Sequence, residues 1–416
     1  MKASSSVLVL GLALLMGYLV YTPVPEGMLD QWQYRLMTAG AKTAALAATL
    51  RTYIQPGDDD VYYRTISSLC DMVLPAADKK VQGSNVKAQY AEFEGVRVLV
   101  YTPLTERRGL APGLVYYHGG GFGFASTKTN GRLTRYLAEQ LDMVVISVDY
   151  RLAPAHPFPA AVEDSFTATK WFLDHAHEYG VDADRVVVSG DSAGGFLTAV
   201  IVQLVHDDPS LPEIKLQVLF YPWTQCFDFN TPSYQKYEVD FGETGMVAKP
   251  RMAEFVSAYL LGRFDKPFMK QLQKNEHVSA AFKQSKLYRA VFNHTIIRQH
   301  PGVPSTSLPS QQKIFQGGND TLWEDIKDRL LDPRLSPLFR KDFKGLPAAF
   351  IATADLDSLR DDGIFYARLL AEAGVEVTLK NYLGAYHGIA AAGPITNIPT
   401  GGQMLNDSIE FIRDNV

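Results

Sequence analysis

The stretch RVVVSGDSAGGF, Arg185–Phe196, predicts a buried strand that turns abruptly into a helix. Val186–Ser189 has the β-branched residues of such a strand, and a helical pattern continues to His206. Between them lies Gly-x-Ser-x-Gly, whose glycines allow a tight turn that exposes the serine hydroxyl at a helix N-terminus. Ser192 is therefore a candidate nucleophile, although an ordinary strand-to-helix turn would have the same sequence.

Composition limits the partners of this chain. Its 416 residues are 46% hydrophobic and 20% charged, which is typical of globular proteins. The formal net charge is −5 and no long basic run occurs, so nucleic acid is not an expected partner. The two cysteines, Cys70 and Cys226, have no metal-binding spacing, so no metal or cofactor is expected. Their spacing leaves open whether they form a disulfide.

The N-terminus carries an uninterrupted apolar run, VLVLGLALLMGYLVY, over Val7–Tyr21. A cleaved signal peptide and an uncleaved anchor both fit a run preceded by Lys2. Pro23 and Pro25 disfavour cleavage by a signal peptidase. We therefore predict that 1–22 is a signal-anchor transmembrane segment with its positive end in the cytoplasm, so that the body is lumenal or extracellular.

Three Asn-x-Ser/Thr triplets agree with exposure to a secretory compartment. They begin at Asn293, Asn319 and Asn406. Such triplets also arise by chance, so they support this orientation without establishing that any of them is glycosylated.

Strand and helix patterns alternate through the rest of the chain. A hairpin is predicted over Lys87–Glu94 and Val96–Thr102. The predicted later strands are Leu114–Tyr117, Val144–Val148, Arg185–Ser189, Leu216–Tyr221, Ala348–Thr353 and Val375–Leu379. Apolar strands separated by helices indicate an α/β fold with a mostly parallel sheet covered on both faces.

One domain is predicted over 23–416, with two segments outside the strand-helix alternation. The gap between Tyr221 and Leu346 is too long for one crossover. We interpret about 223–345, together with about 23–85, as a cap over the edge of the sheet where α/β proteins bind ligands.

A glycine-rich stretch, YYHGGGFGF, follows the strand that ends at Tyr117. Three consecutive glycines let backbone N–H groups point into a cavity. In acyl transfer such groups bind the oxyanion, together with the N–H of Ala193 after the serine. A phosphate-binding loop is excluded because neither of its glycine patterns is completed.

A serine nucleophile in this fold needs an acid and then a histidine later in the chain. Of nine histidines, only His387 lies beyond the last predicted strand, whereas His118 is expected to support the glycine loop. The acid should follow the strand that ends at Thr353. Candidates there are Asp355, Asp357, Asp361 and Asp362, and spacing alone does not choose among them.

The motifs HGGGF, DYRLAPAHPFPAAVED, GDSAGG, DSLRDDG and YHG occur in this order. The chain thereby resembles the hormone-sensitive-lipase branch of the α/β hydrolases, and within it the subgroup of arylacetamide deacetylase and neutral cholesterol ester hydrolase. The resemblance implies a Ser192–Asp357–His387 triad and an oxyanion loop of Gly119, Gly120 and Gly121.

The resemblance further implies a serine esterase of apolar esters, with amides as an alternative substrate class, on the endoplasmic reticulum membrane with a lumenal catalytic domain. Phe196, Ala125 and Ile389 depart from residues common in the family, which leaves the acyl or alcohol preference open. The competing hypothesis is a non-catalytic ligand-binding or adhesion protein on the same fold.

Overall fold

The computed structural model describes residues 16–18, 21–58, 60–73, 81, 83–311, 317–396 and 398–416. Most of the predicted anchor, 1–15 with 19 and 20, lies outside these residues. Among the described residues, none of the helices combines the length and the apolar character needed to cross a bilayer.

An eight-stranded sheet, with strand order β1-β2-β4-β3-β5-β6-β7-β8, forms the centre of the fold. Only β1 and β2 are antiparallel to their neighbours, whereas β4, β3, β5, β6, β7 and β8 run parallel. The strands are β1 Val86–Phe93, β2 Val96–Pro103, β3 Ala111–Tyr117, β4 Val144–Val148, β5 Val181–Asp191, β6 Leu216–Phe220, β7 Ala348–Leu356 and β8 Val377–Tyr386. The predicted mostly parallel sheet is confirmed.

Both faces of the central strands are covered. Every residue of β4 and β6 is buried, and successive side chains point to opposite faces. The α-helices before the last strands are α1 Gln31–Ile54, α2 Val61–Val73, α3 Gly131–Leu141, α4 Ala160–Asp174 and α5 Ala193–His206. The C-terminal ones are α13 Arg360–Glu372, α14 Ile389–Thr396 and α15 Pro399–Asn415.

The long gap between β6 and β7 is mainly helical. It contains α6 Pro232–Phe241, α7 Lys249–Leu261, α8 Lys266–Gln273, α9 Ala280–Lys283, α10 Lys286–Val291, α11 His294–Gln299 and α12 Asp320–Leu330. Side-chain caps begin several of them; the Asn319 side chain accepts the N–H of Leu322 at 3.0 Å. That this segment and the N-terminal helices act as a cap stays a prediction.

The two cysteines do not pair. Cys70 is half-buried on α2, and Cys226 is buried after β6; both are free thiols. Burial raises the pKa of each thiol, which keeps both protonated at neutral pH.

Candidate active site

Ser192 lies in the turn between β5 and α5, at the carboxyl edge of the sheet. Its backbone has φ 56° and ψ −117°, a conformation that costs energy for any residue with a side chain. The serine N–H donates to the carbonyl of Phe220 at 2.9 Å, which ties the turn to β6. The strained turn presents the hydroxyl at the first turn of α5.

The glycines on either side of Ser192 are required by packing. A Cβ at Gly190 would collide with the carbonyl of Gly194, and a Cβ at Gly194 would collide with the carbonyl of Tyr117. A Cβ at Gly195 would likewise come too close to Pro222. The turn can therefore approach β3 and β6 closely only with glycine at these positions.

His387 and Asp357 join Ser192 in one chain of hydrogen bonds. The imidazole Nε2 lies 2.9 Å from Ser192 Oγ, and Nδ1 lies 2.7 Å from Asp357 Oδ2. The other carboxylate oxygen, Oδ1, accepts the N–H of Leu359 at 2.9 Å. The three residues are at most 8% exposed. This is the geometry in which a carboxylate orients an imidazole that can take a proton from a serine.

The other aspartates that the sequence left open have different partners. Asp355 Oδ2 accepts the hydroxyl of Ser307 at 2.8 Å. Asp361 pairs with the buried Arg360 at 2.9 Å. Asp362 accepts the side-chain amide of Gln225 at 3.0 Å, and burial raises its pKa well above the ordinary range.

The end of β7 separates the two nearest candidates. Asp355 lies within the strand and contacts Ser307 of the inserted segment, whereas Asp357 lies one residue beyond Leu356 and contacts His387. The alternation of an ideal strand, which would point both to one side, therefore does not extend to Asp357.

The predicted oxyanion loop follows β3. Gly120 and Gly121 have φ 112° and φ 60°, which favour glycine. Their N–H groups find no acceptor in the described part of the chain. The N–H of Ala193, first residue of α5, has no acceptor within its helix. That these three donors bind an oxyanion stays a prediction.

Gly119 has a different role from the one predicted for it. Its N–H donates to Asp191 Oδ1 at 2.9 Å, so it is not available to an oxyanion. The same oxygen accepts the hydroxyl of Tyr116 at 2.7 Å and the amide of Asn130 at 3.0 Å. Burial raises the pKa of Asp191, and these donors act against that rise. Asp191, the residue before the nucleophile, therefore holds the oxyanion loop in place.

His118 supports the loop from behind, as predicted. Its ring stacks on Tyr150 with centroids 4.2 Å apart, and Nδ1 lies 2.8 Å from the carbonyl of Gly119. The Tyr150 hydroxyl donates to the His118 carbonyl at 2.6 Å. Burial lowers the pKa of His118, which favours the neutral imidazole.

Aromatic rings from both predicted cap segments cover the oxyanion loop. A Cβ at Gly121 would collide with Phe255 on α7, and one at Gly123 with Tyr63 on α2. The two rings stack with centroids 5.8 Å apart. The sequence analysis missed α2 and these contacts, because aromatic residues in a helical pattern carry no sign of what they touch.

The three departures from the family pattern lie around the site. Phe196 is buried on α5, with its ring 5.2 Å from that of Phe122 in the oxyanion loop. Ala125 has φ 77°, and Ile389 is fully buried two residues after His387. Within the described residues, no cluster of His, Cys, Asp and Glu has the arrangement of a metal site.

Comparison with known proteins identifies the family of this chain. Residues 114–292 and 295–391 match a family model described as an alpha/beta hydrolase fold. Neutral cholesterol ester hydrolase 1 of Bos taurus is 33% identical over 426 residues, which covers 99% of this chain and 100% of that protein. Arylacetamide deacetylase of Bos taurus is 34% identical over 423 residues, 98% of each chain.

Solved esterase structures share the fold. The thermostable carboxylesterase EstE1 from a metagenomic library has a TM-score of 0.62 at 29% identity, covering 86% of this chain and 98% of that one. The hyperthermophilic esterase of Pyrobaculum calidifontis has a TM-score of 0.64 at 27% identity, covering 93% and 98%.

Proposed function

Because the chain belongs to the hormone-sensitive-lipase branch of the α/β-hydrolase family, we propose that it is a serine hydrolase of apolar carboxylic esters. The observation that carries the proposal is the hydrogen-bonded series Ser192–His387–Asp357, with distances of 2.9 Å and 2.7 Å. A protein that only binds ligands has no use for a base held 2.9 Å from a strained serine.

In the proposed mechanism, Ser192 Oγ attacks the ester carbonyl while His387 Nε2 takes its proton. The N–H groups of Gly120, Gly121 and Ala193 bind the oxyanion of the tetrahedral intermediate. The intermediate collapses as the imidazolium returns the proton to the departing alcohol. Water, deprotonated by the same imidazole, then releases the acid and restores the serine.

The aromatic cover favours apolar substrates. Tyr63 and Phe255 lie directly on the oxyanion loop, and Phe124 lies close to both rings. A chain of carbon atoms entering beside these rings would bury apolar surface, whereas a charged group would lose hydration there. We extend the proposal to acetylated aryl amides as a second substrate class, since the same attack cleaves both bonds.

The test compares wild-type protein with Ser192→Ala on a short-chain aryl ester. We expect a loss of at least ~10⁴-fold in turnover with an unchanged thermal midpoint, because nucleophile and base act as a unit. Near-normal turnover by a folded Ser192→Ala protein would contradict the proposal. A folded wild-type protein without turnover on esters or aryl amides would support the non-catalytic alternative.

For the cellular location, we propose that 1–22 anchors the protein in the endoplasmic reticulum membrane with its catalytic domain in the lumen. The apolar run after Lys2 supports this, as do two exposed sequon asparagines, Asn293 and Asn406. In sealed microsomes, added protease should spare the body and alkaline carbonate should not extract it. Complete digestion without detergent would show that the body faces the cytoplasm. Release by carbonate would show that no anchor remains on the protein.

A further inference from the structure

Helix α1 presents an apolar stripe to solvent. Trp32, Leu36, Leu50 and Ile54 lie on one side of it at helical spacing and are 68%, 60%, 56% and 78% exposed. Between them the same side carries only small uncharged residues, Gly40, Thr43 and Ala47. Exposed large apolar side chains in one continuous line are rare on a soluble surface and mark a contact with a partner or a membrane.

The opposite side of α1 is packed on the body. Tyr34, Thr38 and Ala48 are buried there. The Tyr34 ring contacts that of Tyr386 with centroids 4.9 Å apart, and Tyr386 directly precedes His387. The helix is therefore apolar on both sides and lies between the active-site region and the solvent.

The charges of α1 are all positive. Arg35 and Lys42 border the stripe on one side and Arg51 borders it on the other, and the helix contains no acidic residue. Arg35 and Arg51 are exposed. An apolar stripe between basic borders, whose cations can lie beside lipid phosphates, matches the headgroup layer of a bilayer better than it matches another protein surface.

Two tyrosines near the end of the apolar N-terminal run contact α1. Lys42 Nζ donates to the carbonyls of Tyr18 and Tyr21 at 3.1 Å and 2.8 Å, which fixes the end of that run against α1. Tyr18 and Tyr21 are themselves 58% and 73% exposed. Tyrosine and tryptophan are the residues enriched where a membrane meets water.

The same surface reaches the histidine loop. Leu29 and Leu383 are more than half exposed, and the Leu29 N–H donates to the carbonyl of Gly384 at 3.1 Å. Gly384 lies three residues before His387. An apolar molecule that leaves a bilayer at this surface would therefore be beside the catalytic edge of the sheet.

We propose that this membrane-facing surface lies in the headgroup layer of a bilayer, with α1 parallel to the membrane plane, and admits ester substrate directly from the lipid. It consists of Tyr18, Tyr21, Leu29, Trp32, Leu36, Leu50, Ile54 and Leu383. The role in substrate entry rests on the proposed esterase function. The membrane contact itself does not, and it is additional to the proposed anchor.

The kinetic test uses full-length protein reconstituted in mixed phosphatidylcholine–phosphatidylserine vesicles. The variant is Trp32→Ser/Leu36→Ser, and the matched control is Leu104→Ser/Leu110→Ser. The control leucines are 62% and 51% exposed, at the opposite edge of the sheet. Each protein is assayed on a long-chain ester embedded in the vesicles and on a water-soluble short-chain ester.

We expect the Trp32/Leu36 variant to lose about tenfold or more in kcat/KM on the embedded ester, because two large side chains no longer bury apolar surface in the lipid. Its activity on the soluble ester should match that of wild type, and the control should match wild type on both substrates. An equal loss on both substrates, or no loss on the embedded one, would overturn the role in substrate entry.

The second measurement does not depend on catalysis. Brominated lipids in the same vesicles should quench the fluorescence of Trp32, and the quenched component should be missing from Trp32→Phe. Of the other three tryptophans, Trp223 and Trp323 are buried and Trp171 is half-buried on α4, so any quenching of Trp171 would persist in Trp32→Phe. Absence of quenching at Trp32 would overturn the proposed membrane contact. A dimer that shields Trp32 in vesicles would overturn it as well. Failure of the esterase proposal would leave this quenching intact.

Discussion

The replacement Asp357→Asn should inactivate the enzyme without unfolding it. Asp357 Oδ1 accepts the N–H of Leu359, and Oδ2 accepts His387 Nδ1. Asparagine must keep its oxygen towards the Leu359 N–H, since its amide group there would place two donors together. The amide then faces Nδ1 and forces the imidazole proton onto Nε2. Ser192 Oγ, 2.9 Å from Nε2, is left without a base.

The expected loss is about 10⁴-fold in kcat, which corresponds to about 5 kcal/mol in activation free energy. The side chain keeps its volume and one of its two hydrogen bonds. We therefore expect the thermal midpoint and the near-ultraviolet circular dichroism spectrum to stay close to those of wild type. The assay is steady-state hydrolysis of a short-chain aryl ester, with residual activity corrected by Ser192→Ala.

Asp355→Asn, two residues earlier and within β7, provides the matched control. Its Oδ2 accepts the Ser307 hydroxyl at 2.8 Å, and an amide oxygen can do the same. We expect kcat to change by less than about tenfold. The reasoning is refuted if Asp355→Asn is the more damaging of the two replacements, or if Asp357→Asn retains near-normal turnover at matched folding.

Replacements at three further positions test the support of the site and of the inserted segment. Asp191→Ala should lower kcat by about 10²-fold with little change in KM, because the loop that holds two oxyanion donors loses its hydrogen-bond acceptor. Asp191→Asn keeps an acceptor and should retain most activity. Equal kinetics of the two variants would contradict this. Gly194→Ala should cost more than about 3 kcal/mol of stability, since its Cβ would collide with a β3 carbonyl, and a soluble protein with a wild-type melting curve would contradict that. Burial lowers the pKa of His294, but its hydrogen bond to Asp228 at 2.8 Å and the charge of that carboxylate raise it overall. The stabilisation from this raised pKa is complete below the ordinary histidine pKa of about 6.5 and is lost as pH rises through the raised value. His294→Gln should therefore lower the free energy of unfolding in urea by about 1–2 kcal/mol near pH 6 and by less near pH 9. A loss of stability that does not depend on pH would contradict the ion pair.

The strands of the sheet were predictable because local sequence patterns mark them. The predicted strand Val144–Val148 matches β4 at both ends, and the predicted hairpin matches β1 and β2 within one residue. The prediction for β7 stopped at Thr353, three residues early. The irregular pairing that extends it to Leu356 depends on contacts with β8, which local sequence does not reveal.

The chemistry of the site was more predictable than its support. Ser192, Asp357 and His387 follow strands whose carboxyl ends share one edge of the sheet, and the structure brings them together. The N–H of Gly119 could not be assigned from sequence, because its acceptor, Asp191, lies 72 residues away. Nothing local distinguishes that N–H from its two glycine neighbours.

The most direct test of the central claim is covalent labelling by a fluorophosphonate, followed by mass mapping of the peptides. The proposed mechanism predicts one adduct per chain, on Ser192, with labelling slowed strongly in His387→Ala because the serine has lost its base. An adduct on another residue, or ester hydrolysis that persists in a chain from which no Ser192 adduct can be recovered, would contradict it.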